Sequence, residues 1–368
     1  MMKELPINEI LCGDCVSVMK ELPKESVDLV VTSPPYWGLR DYGVDGQIGL
    51  EDHPNRYIES LVLVAKQVKR VLKKSGSFYL NLGDTYCSIG SKRFGGVVNY
   101  DYSVLGKNQL DNQGRGRITK EQQGKWLQPK QLMLIPSRTA IALQHDGWIL
   151  RNDIVWYKPN HMPSSVTDRL TNSWEHVFHF VKNRKYFYDL DAIRTKHIWA
   201  KTDSRSKLRR VEGKSGKITN GTYATNAVGY NPKGKNPGDI RKIEHTAEFF
   251  IQKGSGGNVN LPSSTHPQGK NPSDFWKVTT KPFKGAHFAT FPPNLIKPMI
   301  KSSCPEDGVV LDPFCGSGTA LVVAHKLGRK WVGIDLNPEY CELARKRLEG
   351  VGAFSAKIED FVRVGGKK

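Results

Sequence analysis

The chain has 368 residues, 38% of them hydrophobic, and 55 basic against 36 acidic side chains leave it at +19; that suffices for a real core in two domains, or one carrying an insertion, and points to a polyanionic partner. No run of about 18 apolar residues is present to span a membrane, and the start lacks the apolar stretch of a signal peptide. Six cysteines with one C-x-x-C (Cys12, Cys15) and no clustered histidines give neither a disulfide framework nor a metal site, so a reduced, cytoplasmic protein is expected.

The first 85 residues alternate strand and helix. Glu9–Cys12 is a short apolar run, and Val16–Leu22 has helical spacing that ends at Pro23. Val27–Thr32 is a β-branched strand halted by Pro34-Pro35. Apolar residues at Ile58, Leu61, Val62, Ala65, Val68 and Leu72 follow the i, i+3, i+4, i+7 rule of a helix on a sheet. Gly76-Ser77 then turns into a strand over Phe78–Leu82. Such alternation predicts a parallel α/β sheet. From 87 to 128 periodicity vanishes into a long basic loop, and loops of that length are usually functional or disordered. Regular structure resumes over Leu132–Leu143, Trp148–Trp156 and Glu175–Val181. Residues 183–286 carry 20 Lys/Arg against 8 Asp/Glu with weak periodicity, the mark of an inserted variable region that binds a polyanion or of a solvated loop. The last third predicts a helix over Pro292–Ile300, a buried strand over Gly308–Asp312, a helix over Ser317–Leu327 and a strand over Lys330–Asp335. Asn337 with Pro338 behind it makes an N-cap for a helix over Tyr340–Leu348.

Two segments carry chemistry. The strand ending at Asp312 runs through Pro313, Phe314 and Cys315 into Gly316-Ser317-Gly318-Thr319 and opens a helix. Glycines there let backbone approach a ligand with no Cβ between. Asp335 ends the next strand 17 residues after Gly318, close to the ~20 expected of an acid that binds ribose hydroxyls. A dinucleotide site is one reading. Against it, Leu321 stands where G-x-G-x-x-G needs its third glycine, and the acid-bearing Asp-Pro-Phe turn suits a cationic sulfonium better than a pyrophosphate. The second segment is Ser33-Pro34-Pro35-Tyr36-Trp37, at the end of the strand over 27–32. Two prolines remove two N–H donors and leave carbonyl acceptors beside an aromatic ring and a hydroxyl. An exocyclic amino group on a flat base needs that combination; a rigid surface turn is the plainer reading.

Ser-Pro-Pro-Tyr early and Asp-Pro-Phe-x-Gly-Ser-Gly late resemble the DNA amino-methyltransferases, and the order of the two motifs resembles their β class. Gly13-Asp14, Asn81–Asp84, Trp148–Pro159, Ser165–Val181 and His287–Pro293 are similar to further segments of that family, so the likeness covers most of the chain outside roughly 87–128 and 197–274. It implies a circularly permuted Rossmann-like sheet dependent on S-adenosylmethionine, with an inserted target-recognition region. The catalytic domain would then be 1–182 plus 287–368, and the insertion 183–286. The permutation has independent support: few residues follow the last helix, so the next strand must come from the N-terminus, near Ile10–Gly13.

The resemblance implies a role for each residue. Asp335 would hold the cofactor ribose and Asp14 its adenine amino group. Ile334 and Leu336 would flank the purine. Asp312, Phe314, Cys315, Gly316, Ser317, Gly318, Thr319 and Asn337, with Phe291 and Pro292, would complete the cofactor pocket, Cys315 as packing and not as a nucleophile. Double-stranded DNA would be the partner, its target base flipped out because no enzyme reaches it in the stack. Ser33, Pro34, Pro35 and Tyr36 would be catalytic, with Trp37, Asn81 and Asp84 around the base. Lys207, Arg209 and Arg210 would hold phosphates. Ser at the first motif position favours N4 of cytosine; N6 of adenine is the alternative and an RNA amino group a more distant one. Methylation at cytosine C5 is excluded, because its nucleophile lies in a Pro-Cys dipeptide that the chain lacks. A cognate restriction endonuclease, and the choice between monomer and homodimer, stay open.

Overall fold

A computed structural model of the chain describes residues 2, 4–89, 117–118, 127–164, 166–195, 271–280 and 291–353. Among these, eight strands form one sheet. Its parallel half is ordered β1 (Glu9–Cys12), β10 (Lys330–Asp335), β9 (Val309–Asp312), β2 (Val27–Thr32), β3 (Leu72–Leu82). Beyond β3 lie β7 (Trp174–Val181), which is antiparallel to both neighbours, then β6 (Ile149–Tyr157) and a short edge strand, β8 (Phe275–Lys277). A separate ladder pairs β4 (Ser88–Ile89) with β5 (Arg117–Ile118). Six helices accompany them: α1 (Cys15–Glu21), α2 (Pro54–Val71), α3 (Ile135–His145), α4 (Pro293–Ser303), α5 (Thr319–Lys326) and α6 (Pro338–Glu349).

The expected permutation is present. β1 pairs in parallel with β10, Cys12 opposite Asp335, so the start of the chain completes the sheet that its end leaves open. All six residues of β2 are buried, as a strand covered on both faces requires. Val27 and Val30 join a core with α1, α2 and α3, whereas Leu29 and Val31 join a second core with α4, α5 and α6. On α2 the buried face is Tyr57, Ile58, Leu61, Val64, Ala65, Val68 and Val71. At about 1.5–3 kcal/mol for each fully buried large aliphatic, that face alone anchors the helix. Asp28, buried at the start of β2, accepts from Lys73 Nζ at 2.8 Å and from the Val309 N–H at 2.9 Å, which ties β2 to its neighbours on both sides.

Four features depart from the periodicity. β3 starts at Leu72, directly after α2, with a register shift opposite Val27–Leu29; a Cβ on Gly76 would come within 2.7 Å of the Asp28 carbonyl, so the two strands approach too closely there for a side chain. α3 starts at Ile135, three residues late, because Leu134 is left-handed (φ 55°). β7 runs antiparallel because it returns from β6 with no crossover helix, which parallel pairing requires. Residues 275–277, within the stretch expected to lack regular structure, form the sheet edge β8, where Trp156 Nε1 donates to the Val278 carbonyl.

Candidate active site

The glycine turn lies at the carboxyl ends of β9 and β10. Asp312 closes β9 and is buried; its Oδ1 accepts from Thr32 Oγ1 at 2.6 Å and from the Phe314 N–H at 3.1 Å. Burial pushes its carboxyl up to about 7, although those two hydrogen bonds pull the other way. Oδ2 is buried with no hydrogen-bond partner among the described residues. A buried acceptor without a donor is costly, and a carboxylate there calls for a cation. The turn that follows is held by its own backbone: Cys315 N–H donates to the Ile334 carbonyl at 2.9 Å and Gly318 N–H to the Cys315 carbonyl at 2.7 Å. Gly318 caps α5 in a left-handed conformation (φ 74°), and a Cβ there would lie 3.0 Å from that of Ala344.

Asp335 clamps this turn to α6. Its Oδ2 accepts from the Gly316 N–H at 2.8 Å and its Oδ1 from the Asn337 N–H at 2.9 Å. Burial raises its pKa, and those two bonds oppose the shift. The Gly13 N–H donates to the Asp335 carbonyl at 2.9 Å, so Asp14 stands at the tip of the neighbouring strand. Asp14 Oδ2 caps α1 by accepting from the Ser17 N–H at 2.8 Å.

The proline corner begins one strand away, and Thr32 joins the two through its bond to Asp312. Beyond Thr32 the Ser-Pro-Pro-Tyr corner is pinned from three directions. Tyr57, from the first turn of α2, donates to the Pro35 carbonyl at 2.8 Å. Tyr36 Oη donates to Glu175 Oε2 at 2.9 Å and lies 3.3 Å from Asn81 Oδ1; Ser33 Oγ reaches the same hydroxyl at 3.4 Å. Gly83 lies against the Tyr36 ring, and a Cβ there would come within 2.5 Å of Cε2. Burial and the Glu175 carboxylate push the Tyr36 hydroxyl far above its usual range, so it stays protonated. The Pro34 carbonyl accepts no hydrogen bond from any described residue. Thr32, Asn81 and Phe291 line one small cavity with Val31, Tyr79 and Val177.

The remaining expected residues fall into place around this frame. Cys315 is buried against Gly333, and burial with Asp335 and Asp312 nearby holds its thiol protonated, as a packing residue should be. Ser317 and Thr319 are buried, and their hydroxyls accept from Arg347 of α6 at 3.1 and 2.8 Å. Asn337 spends its side-chain oxygen capping α6 through the Glu339 N–H. Pro292 is the residue before α4 and offers no side-chain cap. Trp37 departs most from expectation. It is 2% exposed with its indole N–H on the Glu51 carbonyl at 2.8 Å, an anchor for the loop after the corner and not a face open to a base. Asp84 accepts from the Thr85 and Ile135 N–H groups and so fixes the entry to α3. Asn81 donates to the His176 carbonyl at 2.9 Å and works within the scaffold of the corner. Lys207, Arg209 and Arg210 lie outside the described residues, as does most of the basic loop 87–128.

The sequence reading missed Glu175, Lys158, Tyr57 and Arg347. Glu175 ion-pairs with Lys158, and both side chains are under one-fifth exposed. Each of the four bonds to a partner at least 17 residues away, so no local pattern announces it.

A permuted α/β sheet with a glycine turn and two acids at the ends of adjacent strands, next to a proline corner that presents an acceptor, defines an amino-methyltransferase. The chain matches the N6/N4 DNA methylase family model over residues 27–346, and it belongs to that family. It is 39% identical to the type II methyltransferase M.Cfr9I of Citrobacter freundii over 338 residues, 92% of this chain and 86% of that one. M.XycI of Xanthomonas campestris pv. cyanopsidis is 40% identical over the same shares, and M.SmaI of Serratia marcescens 36% identical over 92% of this chain and 90% of its own. The fold is shared with the cytosine-N4-specific PvuII DNA methyltransferase, at TM-score 0.54 and 18% identity over 92% of this chain and 85% of that one. The family's methyl donor is S-adenosylmethionine. Its ammonium is the kind of cation that the unpartnered Asp312 Oδ2 suits. No helix among the described residues is long and apolar enough to cross a membrane.

Proposed function

We propose that the chain methylates the exocyclic amino group of a base flipped out of duplex DNA, and that the base is cytosine, modified at N4. The observation that carries this reading is the Thr32–Asp312 hydrogen bond of 2.6 Å, which sets the amine-gripping corner directly beside the donor turn. S-Adenosylmethionine, when bound, supplies a methyl group already activated on a sulfonium, so the protein's task is placement.

Asp312 Oδ2 would take the donor's ammonium, Asp335 its ribose hydroxyls and Asp14 its adenine amino group, with Phe314 and Phe291 packed beside it. On the acceptor side the Pro34 carbonyl, which has no donor of its own, would accept an N–H of the target amine, and Ser33 Oγ a second. Two acceptors on one amine turn its lone pair toward the methyl. Tyr36 would stack on the flipped ring, which is worth about 1–3 kcal/mol per base. The uncharged Ser33 at the head of the corner supports cytosine over adenine, since a carboxamide or carboxylate there would crowd a smaller pyrimidine site. Residues 183–286, with Lys207, Arg209 and Arg210, would supply phosphate contacts, the commonest kind at DNA interfaces. The test is transfer of labelled methyl from S-adenosylmethionine to duplex DNA, followed by digestion to nucleosides. Label in N4-methyl-2′-deoxycytidine is the expected result, and label in N6-methyl-2′-deoxyadenosine overturns the choice of base.

A further inference from the structure

A partly buried ion pair sits behind the acceptor corner. Glu175 lies on β7 and Lys158 just past β6; Glu175 Oε1 meets the Lys158 ammonium, with side-chain exposures of 17% and 19%. The ammonium also sits 4.3 Å from the centre of the Trp156 ring, so aromatic and carboxylate enclose it. Such a pair costs desolvation energy that its attraction barely recovers, and an apolar pair of equal volume is often as stable. Stability alone is therefore a poor reason for this one.

The other carboxylate oxygen faces the site. Glu175 Oε2 accepts from Tyr36 Oη at 2.9 Å and from Asn81 Nδ2 at 3.3 Å. With the hydroxyl fixed there, the ring edge against Gly83 and the adjoining Pro35 carbonyl held by Tyr57, Tyr36 has one orientation open to it. For a residue that only stacked, phenylalanine would serve equally. We infer that Glu175, held in place by Lys158, is the positioning residue that sets the plane of the Tyr36 ring, and with it the angle at which the target amine meets the donor.

This inference rests on Tyr36 being the stacking residue, and the two are separable. A Tyr36→Ala enzyme that still methylates DNA at the wild-type rate sinks the site reading itself. If Tyr36→Ala slows methylation, a double-mutant cycle between Tyr36→Phe and Glu175→Ala decides on Glu175. Each single change should lower kcat about tenfold to a hundredfold, the range for a hydrogen bond to a charged group. The double variant should lose no more than the worse single one, and affinity for S-adenosylmethionine should stay within about twofold of wild type. Glu175→Gln, which keeps an acceptor for the hydroxyl, should recover most of kcat. Where Glu175→Ala leaves Lys158 unpaired and the protein unfolds, Lys158→Met with Glu175→Ala removes both charges and takes its place in the cycle. Losses that multiply, a wild-type kcat for Glu175→Ala, or a fall in donor affinity instead of kcat would each overturn the inference.

Discussion

The donor turn and the acceptor corner stand one strand apart and are built in opposite ways. Backbone makes most of the donor turn: residues 315–318 bond to one another, to the Ile334 carbonyl and to the carboxylate of Asp335. Side chains make the acceptor corner, and they arrive from α2, the end of β3, β6 and β7, as Tyr57, Asn81, Lys158 and Glu175. A backbone cradle tolerates side-chain change except where an acid or a glycine sets its shape. A side-chain network loses its geometry with any one member. The first should govern whether the donor binds, and the second how fast the methyl leaves it.

The largest expected effect tests that division on the donor side. Asp335→Ala removes the acceptor for two backbone N–H groups at once and should weaken S-adenosylmethionine binding about a hundredfold by calorimetry. On the acceptor side, Tyr36→Ala should cost roughly tenfold to a hundredfold in kcat, from the lost stack, with the donor dissociation constant unchanged. A drop in donor affinity there would break the comparison. Gly83→Ala sharpens it. The new methyl would meet the Tyr36 ring at 2.5 Å, so the ring must tilt, and kcat should fall by about tenfold while the protein stays folded.

The smallest effect is a pH dependence. Asp312 has a folded pKa near 7, above the ordinary carboxylate value of 3.8. The folded chain without donor therefore holds a proton that the unfolded chain has lost, and this group's contribution to stability falls as pH rises from about 4 to 7. Donor binding should run the other way, tightening several-fold between about pH 6 and 8 as Asp312 ionises. Calorimetry in buffers of different ionisation enthalpy should register the released proton, and Asp312→Asn should flatten the profile.

The same contrast explains what the sequence made legible. The donor turn is local: a buried strand, two glycines and an acid at the end of the next strand are visible as text, and so is the need for β1 to complete the sheet. Even there the text does not show that the hydroxyls of Ser317 and Thr319 meet Arg347, which belongs to another helix. The corner was legible only as four residues. Trp37 was placed around the target base because nothing nearby shows that Glu51 will take its indole N–H. Glu175 and Lys158 drew no reading of their own, since their roles exist only once β6 and β7 pair antiparallel beside β3. β8 was invisible because three residues carry no period.

The central claim is that the two constructions serve a single reaction. A crystal structure with sinefungin, in which an amine replaces the sulfonium methyl, tests it most directly. The account predicts that this amine points at the Pro34 carbonyl, with the ligand's ammonium on Asp312 and its ribose on Asp335. A ligand bound with that amine turned away from Ser33–Tyr36 would contradict it.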